Sequence, residues 1–464
     1  MIRVLGQYLP FKTLMLVVTE GALIVGSIAV AMWIHYGNLA DTSWYLGRPY
    51  VIVQTGVMLV VCWICFYYND LYDLQIVSRR AELVVHLLQA LGMTALALAC
   101  LYYLDPDLCL GRSVSGLAAA VIFVSLLIWR LAVDASDFLR PARRLLIAGT
   151  GPPGIRLVRD ILTRPELNLK VVGFLDERGE RVGEKLVNPG IIGAVKEITP
   201  CVEREKVDWV ILSFSERRGV MPTQDLLKLR LAGVRIEDVH TVYERMTGRV
   251  MVETLSPSWL FLSEGFRKDF LVTFSRRVID LAVSSALLLL LSPALLLIAF
   301  AVVLESGRPV LFKQQRVGLN GKIFTILKFR SMRPDAETNG PVWAARGDSR
   351  VTRMGRVLRR YRMDELPQLV NVLRGDMSLV GPRPELPKFV QLLESKISFY
   401  NERHTVRPGL TGWAQIKFPY GSSVDDAKVK LEYDLFYIKH LSPLLDLAIL
   451  FRTVQVVLFA QGSR

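Results

Sequence analysis

The chain has 464 residues, a hydrophobic fraction of 52% and a net charge of +14, with a mean hydropathy of +0.34. That length holds two or three domains, and the apolar excess argues against a purely soluble chain. The basic balance suits anionic lipid head groups or phosphorylated substrates; nucleic acid is set aside because the basic residues stand beside long apolar runs.

Four apolar runs of membrane length open the chain, at 14–34, 51–68, 83–104 and 114–133. Each is about 20 residues, or about 30 Å of helix. Arg3 and Lys12 precede the first, Arg79 and Arg80 lie in the middle loop, and Arg130, Arg140, Arg143 and Arg144 mark the exit. The other two loops hold Arg48 and Arg112 beside Asp41, Asp105 and Asp107. Positive-inside bias therefore places both ends of this bundle in the cytoplasm. No small-residue cleavage site follows the first run, so it is read as a retained span. Glu20, His86 and Gln89 fall within the spans, each alone, and are read as bundle-facing or snorkelling. Of the five cysteines, Cys62 and Cys65 have redox-motif spacing but sit inside a span, where packing is the expected role; no disulfide framework is implied.

Composition changes at Arg140. Residues 143–148 read as a strand, the turn Gly149-Thr150-Gly151-Pro152-Pro153-Gly154 follows, and 155–162 has a helical pattern. Strand, glycine turn and helix are the context of a dinucleotide fingerprint. Further strands at 171–175, ending beside Asp176, and at 207–214 complete a Rossmann-like parallel α/β reading. Nucleotide binding at Gly149, Gly151 and Gly154 is the weaker expectation, because the two prolines remove N–H donors that would hold a pyrophosphate. A structural or regulatory domain is expected.

The long apolar run 278–304 has Ser292-Pro293 near its middle and basic residues on both flanks: Arg267, Lys268, Arg276 and Arg277 before, Arg308, Lys313, Arg316 and Lys322 after. A crossing helix should have one flank poor in positive charge. A helix that enters, breaks at Ser292-Pro293 and leaves on the same face meets both observations; a proline-kinked fifth span is the alternative. The last apolar stretch, 444–459, contains Asp446 and Arg452 and reads as a packed or interfacial helix.

Between 305 and 464 the polar signal is densest. Lys328-Phe329-Arg330-Ser331-Met332 ends a strand-like run, and the stretch from Arg346 to Arg362 is arginine-rich, with Asp348 opposing. It leads into Asp364-Glu365-Leu366-Pro367. Leu366, Leu369, Val370 and Leu373 have amphipathic helical spacing, which puts Asp364 at an N-cap, kept ionised by the helix dipole and nearby arginines. On these residues alone, the acidic pair either caps a helix or holds Mg²⁺ against a pyrophosphate. The Gly381-Pro382-Arg383-Pro384 loop presents one arginine in a stiff setting suited to phosphate.

Together, the broken helix, Lys328-Phe329-Arg330-Ser331-Met332, Asp364-Glu365-Leu366-Pro367-Gln368-Leu369 with Asn371-Val372-Leu373, Gly381-Pro382-Arg383-Pro384 and Arg407-Pro408-Gly409-Leu410-Thr411-Gly412 resemble the bacterial sugar transferases, the monotopic polyprenyl-phosphate phosphoglycosyl transferases. The likeness covers about the last 190 residues, and the preceding bundle and α/β domain are similar to its long, exopolysaccharide and O-antigen initiating members. The resemblance implies a four-span bundle (1–139), a Rossmann-like cytoplasmic domain (140–247), a linker (248–270) and a mainly α catalytic domain (271–464) with a re-entrant helix. It implies transfer of a sugar 1-phosphate from a UDP-sugar to undecaprenyl phosphate at the bacterial inner membrane, catalytic domain in the cytoplasm. Asp364 becomes the nucleophile, Asp364 and Glu365 bind Mg²⁺, and Lys328, Arg330, Arg360, Arg362 and Arg383 contact phosphate or nucleotide. Asp434 becomes a further active-site carboxylate. A homodimer is compatible with the likeness. The rival expectations are a nucleotide-dependent oxidoreductase using the glycine turn, and a non-catalytic assembly scaffold.

Overall fold

The computed structural model describes residues 2–4, 7–9, 11–37, 42, 47–72, 80–139, 142–214, 221–255, 265–266, 269–333, 350–418, 421 and 423–458. Asp41, Arg79, Arg140, Arg267, Lys268, Arg346 and Asp348, used above, lie outside them, as do the side chains of Arg3, Lys12 and Arg80. Two compact units meet between Asp238 and Val239.

In the first unit, four helices occupy the four apolar runs: α1 (Phe11–Tyr36), α2 (Pro49–Tyr68), α3 (Arg80–Leu104) and α4 (Arg112–Leu139). Ile24, Ile28, Met58, Phe66, Leu87, Ile122 and Leu126 form the bundle interior. One ion pair is buried there. Arg130 Nη2 stands 2.8 Å from Glu20 Oε1, both side chains almost fully covered, and Arg130 Nη1 donates to Leu71 O at 2.6 Å. The sequence reading left Glu20 alone and counted Arg130 as an exit charge; they are partners, because a carboxylate in an apolar interior persists only beside a cation.

A five-stranded parallel sheet follows, in the order β3-β2-β1-β4-β5. Its strands are β1 (Arg143–Ala148), β2 (Leu169–Asp176), β3 (Ile191–Ala194), β4 (Trp209–Leu212) and β5 (Arg235–Asp238). Helix α5 (Pro152–Leu162) leaves the glycine turn with Pro152 at its first position, where a missing N–H costs nothing. Near-continuous apolar runs such as Leu145-Leu146-Ile147-Ala148 are fully buried, as expected of strands covered on both faces.

The second unit begins with α6 (Val239–Thr247). The sequence boundary at 247 assigned this helix to the α/β domain. Glu244, on α6, instead accepts hydrogen bonds from Lys439 Nζ (2.7 Å) and His440 (2.6 Å), and Trp413 Nε1 donates to Gly248 O at 2.9 Å. The reading failed because α6 is amphipathic with no composition break, and its partners lie nearly 200 residues away.

Helix α7 (Phe270–Ser306) is 37 residues long with Pro293 inside it. The expected break into two half-helices is not seen: the helix is continuous. Pro293 has no N–H for the carbonyl of Leu289, and the Ser292 hydroxyl donates to that same oxygen at 2.8 Å. Polar contacts anchor both ends to one unit. Near the start, Arg277 donates to Val372 O and Leu373 O (2.7 and 2.8 Å), and buried Asp280 accepts from Leu379 N (2.9 Å) and Ser378 Oγ (3.1 Å). Near the end, Glu305 accepts from Arg353 N and Met354 N (2.8 and 2.9 Å). Between these anchors Leu289, Leu290, Leu296, Leu297 and Phe300 are 62–79% exposed. Among the described residues five helices, α1 to α4 and α7, are long and apolar enough to cross a membrane.

The rest of the unit is mainly helical. The hairpin β6 (Leu311–Val317) and β7 (Ile323–Phe329) pairs antiparallel. Helices α8 (Arg353–Arg360) and α9 (Gln368–Arg374) flank a 3₁₀ turn at Met363–Glu365. The short strands β8 (Ser378–Val380) and β9 (Gly409–Thr411) pair in parallel. Helices α10 (Pro387–Glu394), α11 (Trp413–Lys417), α12 (Val424–Lys439) and α13 (Pro443–Leu458) complete it. Asp446, on α13, is buried and accepts from Arg276 Nε at 2.5 Å and Tyr437 OH at 2.8 Å.

Candidate active site

The acidic pair sits in the 3₁₀ turn between α8 and α9. Arg362 precedes it in the left-handed region (φ 54°), reversing the chain at the end of α8. Asp364 and Glu365 are both buried. Asp364 is not the N-cap of α9: Pro367 holds that position, because the 3₁₀ turn starts three residues earlier than the amphipathic spacing suggested.

Glu365 is clamped. Its Oε1 accepts from Lys328 Nζ at 3.0 Å and from Arg383 Nη2 at 2.7 Å. Lys328 reaches it from β7, which Asn371 ties to α9: Asn371 Oδ1 accepts from Leu327 N (3.1 Å) and Nδ2 donates to Thr325 O (2.8 Å). Asp364, by contrast, accepts no hydrogen bond from a described residue.

The two carboxyls are driven apart electrostatically. Burial raises Glu365, but Arg383 and Lys328 outweigh it and hold the group well below the usual carboxylate range. Burial and then the Glu365 charge push Asp364 up, against Lys328, Arg359 and Arg383. Desolvation and the neighbouring anion thus outweigh the nearby cations in setting the direction for Asp364. Burial also lowers Lys328, opposed by Glu365.

The other sequence candidates divide. Arg383 belongs to the cluster and also donates to Gln415 Oε1 at 2.9 Å. Arg362 acts on Glu365 by its charge. Arg330, just past β7, is half-buried, and its Nη1 has no hydrogen-bond partner. Arg360 is turned out to solvent, over the Tyr361 ring. The arginine that bears on Asp364 from α8 is Arg359, whose Nε donates to Ser331 Oγ at 2.8 Å. Sequence reasoning missed it, although Gly355 and Leu358 mark the buried face of α8 and Arg359 follows at i+4 from that glycine. Gly355 is required: a Cβ there would stand 2.0 Å from Ser331 O.

Asp434 does not join the pair. It lies on α12, 2% exposed, and its Oδ2 accepts two N–H groups of buried Arg403, at 2.9 and 3.2 Å. Within the fold Asp434 braces Arg403, a second residue that the sequence reading missed.

Among the described residues no group of three or more His, Cys, Asp or Glu gathers as a metal cage. Mg²⁺ does not need one: it keeps several waters and takes one or two carboxylates with substrate phosphates. The buried pair Asp364 and Glu365 fits that donor set.

At the glycine turn the three glycine N–H groups are bonded within the fold. Gly149 N donates to Leu175 O (3.0 Å), Gly151 N to Ser213 O (3.3 Å) and Gly154 N to Gly151 O (3.0 Å). Gly149 has φ 105°, and a Cβ there would meet Ser213 O at 2.4 Å, so close packing by itself demands glycine. Asp176, the candidate ribose acid, accepts from Gly179 N and Glu180 N (2.8 and 3.0 Å).

Comparison with known proteins matches residues 271–460 to the family described as bacterial sugar transferase, and residues 68–236 to the one described as CoA-binding domain. The chain is 41% identical over 239 residues to a UDP-N-acetylgalactosamine-undecaprenyl-phosphate N-acetylgalactosaminephosphotransferase of Aeromonas hydrophila, covering 52% of this chain and 56% of that one. It is 38% identical over 333 residues to an undecaprenyl-phosphate glucose phosphotransferase of Komagataeibacter xylinus, covering 70% and 60%. It is 33% identical over 319 residues to a UDP-glucose:undecaprenyl-phosphate glucose-1-phosphate transferase of Klebsiella pneumoniae, covering 67% of each. The chain thus spans 56% and 60% of the length of the first two relatives.

Proposed function

The chain belongs to the bacterial sugar transferase family, and on that premise we propose that it moves a hexose 1-phosphate from a UDP-sugar to undecaprenyl phosphate, releasing UMP. The observation that carries this reading is the asymmetry of the acidic pair: Glu365 is held by Lys328 and Arg383, while Asp364 beside it has no hydrogen-bond partner among the described residues. A carboxylate oxygen kept free within a basic cluster is placed to attack phosphorus.

In the first step an oxygen of Asp364 attacks the phosphorus next to the sugar. The bond from that phosphorus to the bridging oxygen breaks, and UMP leaves with the electron pair. In the second step an oxygen of undecaprenyl phosphate attacks the same phosphorus, the aspartyl–phosphorus bond breaks, and the carboxylate returns. The sugar C–O bond is never cut, so anomeric configuration is kept. Lys328 and Arg383 place positive charge beside the equatorial oxygens, with Arg359 contributing from α8. Mg²⁺, held by Asp364 and Glu365, would offset charge on the diphosphate.

The membrane arrangement follows the same reading. Asp280 and Glu305 lie 25 residues apart on α7, about 38 Å of straight helix, yet both bind backbone N–H groups of the same unit. A helix that bends at Ser292-Pro293 without losing its helical backbone, dips into the cytoplasmic face of the inner membrane and returns would keep both anchors on one side, with its exposed leucines in lipid. The lipid phosphate then meets a soluble nucleotide sugar at the interface.

The test is UMP release by the purified full chain, given undecaprenyl phosphate, Mg²⁺ and a panel of UDP-sugars. Release with one or more hexose donors, lost in Asp364→Asn, is the expected result. Full turnover by Asp364→Asn, or no release with any donor, overturns the proposal.

A further inference from the structure

We infer that Arg403 and Asp434 are positioning residues that aim Arg383 at the reacting diphosphate; this rests on the phosphoglycosyl transfer proposed above. The starting point is the loop that carries Arg383. Pro382 and Pro384 flank it, so the loop is poor in N–H donors and offers mainly carbonyls. Each of four consecutive carbonyls is gripped. Pro382 O accepts from Gly409 N (2.9 Å), Arg383 O from Arg403 Nη2 (3.0 Å), Pro384 O from Arg316 Nη1 (3.3 Å) and Glu385 O from Val317 N (3.0 Å). Two of these grips come from strand backbone at β9 and β6. The grip on Arg383 itself comes from a side chain.

That side chain is saturated by the fold. Arg403 is 5% exposed. Its Nε and Nη2 both reach Asp434 Oδ2, its Nη1 donates to Tyr400 OH at 2.7 Å, and its Nη2 also holds the Arg383 carbonyl. Asp434 is 2% exposed. Both side chains are held within the fold. The Arg383 side chain, by contrast, is 31% exposed and reaches Glu365. The chain of contact therefore runs from α12 through Asp434 and Arg403 to the main chain of Arg383, and from the Arg383 guanidinium to the acidic pair. Lysine at 403 keeps the charge but not the planar fork, so it cannot hold Asp434 and the Arg383 carbonyl at once.

The experiment is a double-mutant cycle on UMP release by the full chain, with thermal melting of each variant alongside. Arg403→Lys should lower kcat/KM by about 10- to 100-fold, the size expected when a catalytic group is displaced by about 1 Å. If Arg403 acts through Arg383, then in an Arg383→Ala background the same change should cost less than about twofold, because the group it aims is gone. Tyr400→Phe, which removes a single hydrogen bond to Arg403 and is the milder variant where Arg403→Lys lowers folding yield, should show the same dependence. Losses that multiply in both cycles overturn the inference and leave the proposed reaction standing. No UMP release by the wild-type chain overturns both.

Discussion

Asp280→Ala tests whether α7 is pinned to the catalytic unit by a buried carboxylate. Asp280 accepts from Leu379 N (2.9 Å) and Ser378 Oγ (3.1 Å), and Asp280, Ser378 and Leu379 are all buried. Hydrogen bonds to a charged group are worth about 1.5–3 kcal/mol each, and the truncation also strands the Leu379 N–H without water. Relief of the desolvated carboxylate offsets part of this, leaving a net loss of about 3 kcal/mol. For a domain of this size that lowers Tm by about 6–12 °C. Asp280→Asn keeps one acceptor oxygen and should lose about 1 kcal/mol, or about 2–4 °C. Because β8 runs directly into Gly381-Pro382-Arg383, UMP release should fall in the same order, Ala below Asn below wild type. Scanning fluorimetry of the three proteins in one detergent, at one scan rate, measures the shift. An Asp280→Ala melt within about 1 °C of wild type would refute the argument, since a buried backbone N–H that loses its acceptor costs free energy.

Asp434 lies where burial pushes its carboxyl up to about 6, against the charge and hydrogen bonds of Arg403, with Glu385 adding to the rise and Lys430 opposing it. Protonation removes the anion that holds Arg403, so kcat/KM should decline as pH falls through about 6; a flat profile from pH 5 to 8 would contradict this. The stability sign is opposite: a carboxyl whose folded pKa is raised binds its proton more tightly when folded, so its own contribution to stability falls as pH rises from about 4 to 6. For Glu244, burial alone would raise the carboxyl, but His440 and Lys439 outweigh it and hold it below the usual range. Its stabilisation is present above about 4.5 and is lost as pH falls through the folded pKa, and Glu244→Ala should cost about 2 kcal/mol at neutral pH by removing the anion from two half-buried partners; an unchanged melt rules that out. Added NAD or NADP should leave the melting of the full chain unchanged, because the three glycine N–H groups of the turn and Asp176 are already bonded within the fold; a saturable rise of several degrees would restore the dinucleotide reading.

What the sequence made legible was what local pattern encodes. Apolar runs located the four N-terminal helices to within two or three residues at most ends, and strand–glycine–helix order located the parallel sheet. The spacing around Asp364-Glu365 located the site but misplaced the helix start, since a 3₁₀ turn ahead of α9 shares its apolar spacing. Partnerships were not legible. Glu20 and Arg130 come from the first and fourth spans, and Arg403 meets Asp434 across 31 residues; nothing in either stretch names the other. Arg359 and Arg360 differ by one position, about 100° around a helix, and only the buried Gly355 and Leu358 say which points inward. Helix α6 shows the same limit at domain scale, because its allegiance is set by Lys439 and His440.

Adjacent carboxylates acquire different tasks only if their surroundings differ. Here the difference comes from one turn. In the 3₁₀ segment after Arg362, successive side chains point about 120° apart; Glu365 bonds to Lys328 and Arg383, while Asp364 feels their charge without a hydrogen bond to either. Glu365 thereby absorbs the two cations and becomes a fixed negative centre. Asp364 inherits burial and the repulsion of that centre, with no hydrogen bond from a described residue to lower its energy. On the proposed reaction, phosphoryl transfer to this carboxylate would disperse charge that burial and the neighbouring anion penalise. On the proposed reaction, this separation of environments across one peptide bond would divide the holder from the nucleophile, and it depends on Lys328, Arg383 and the left-handed turn at Arg362 acting together.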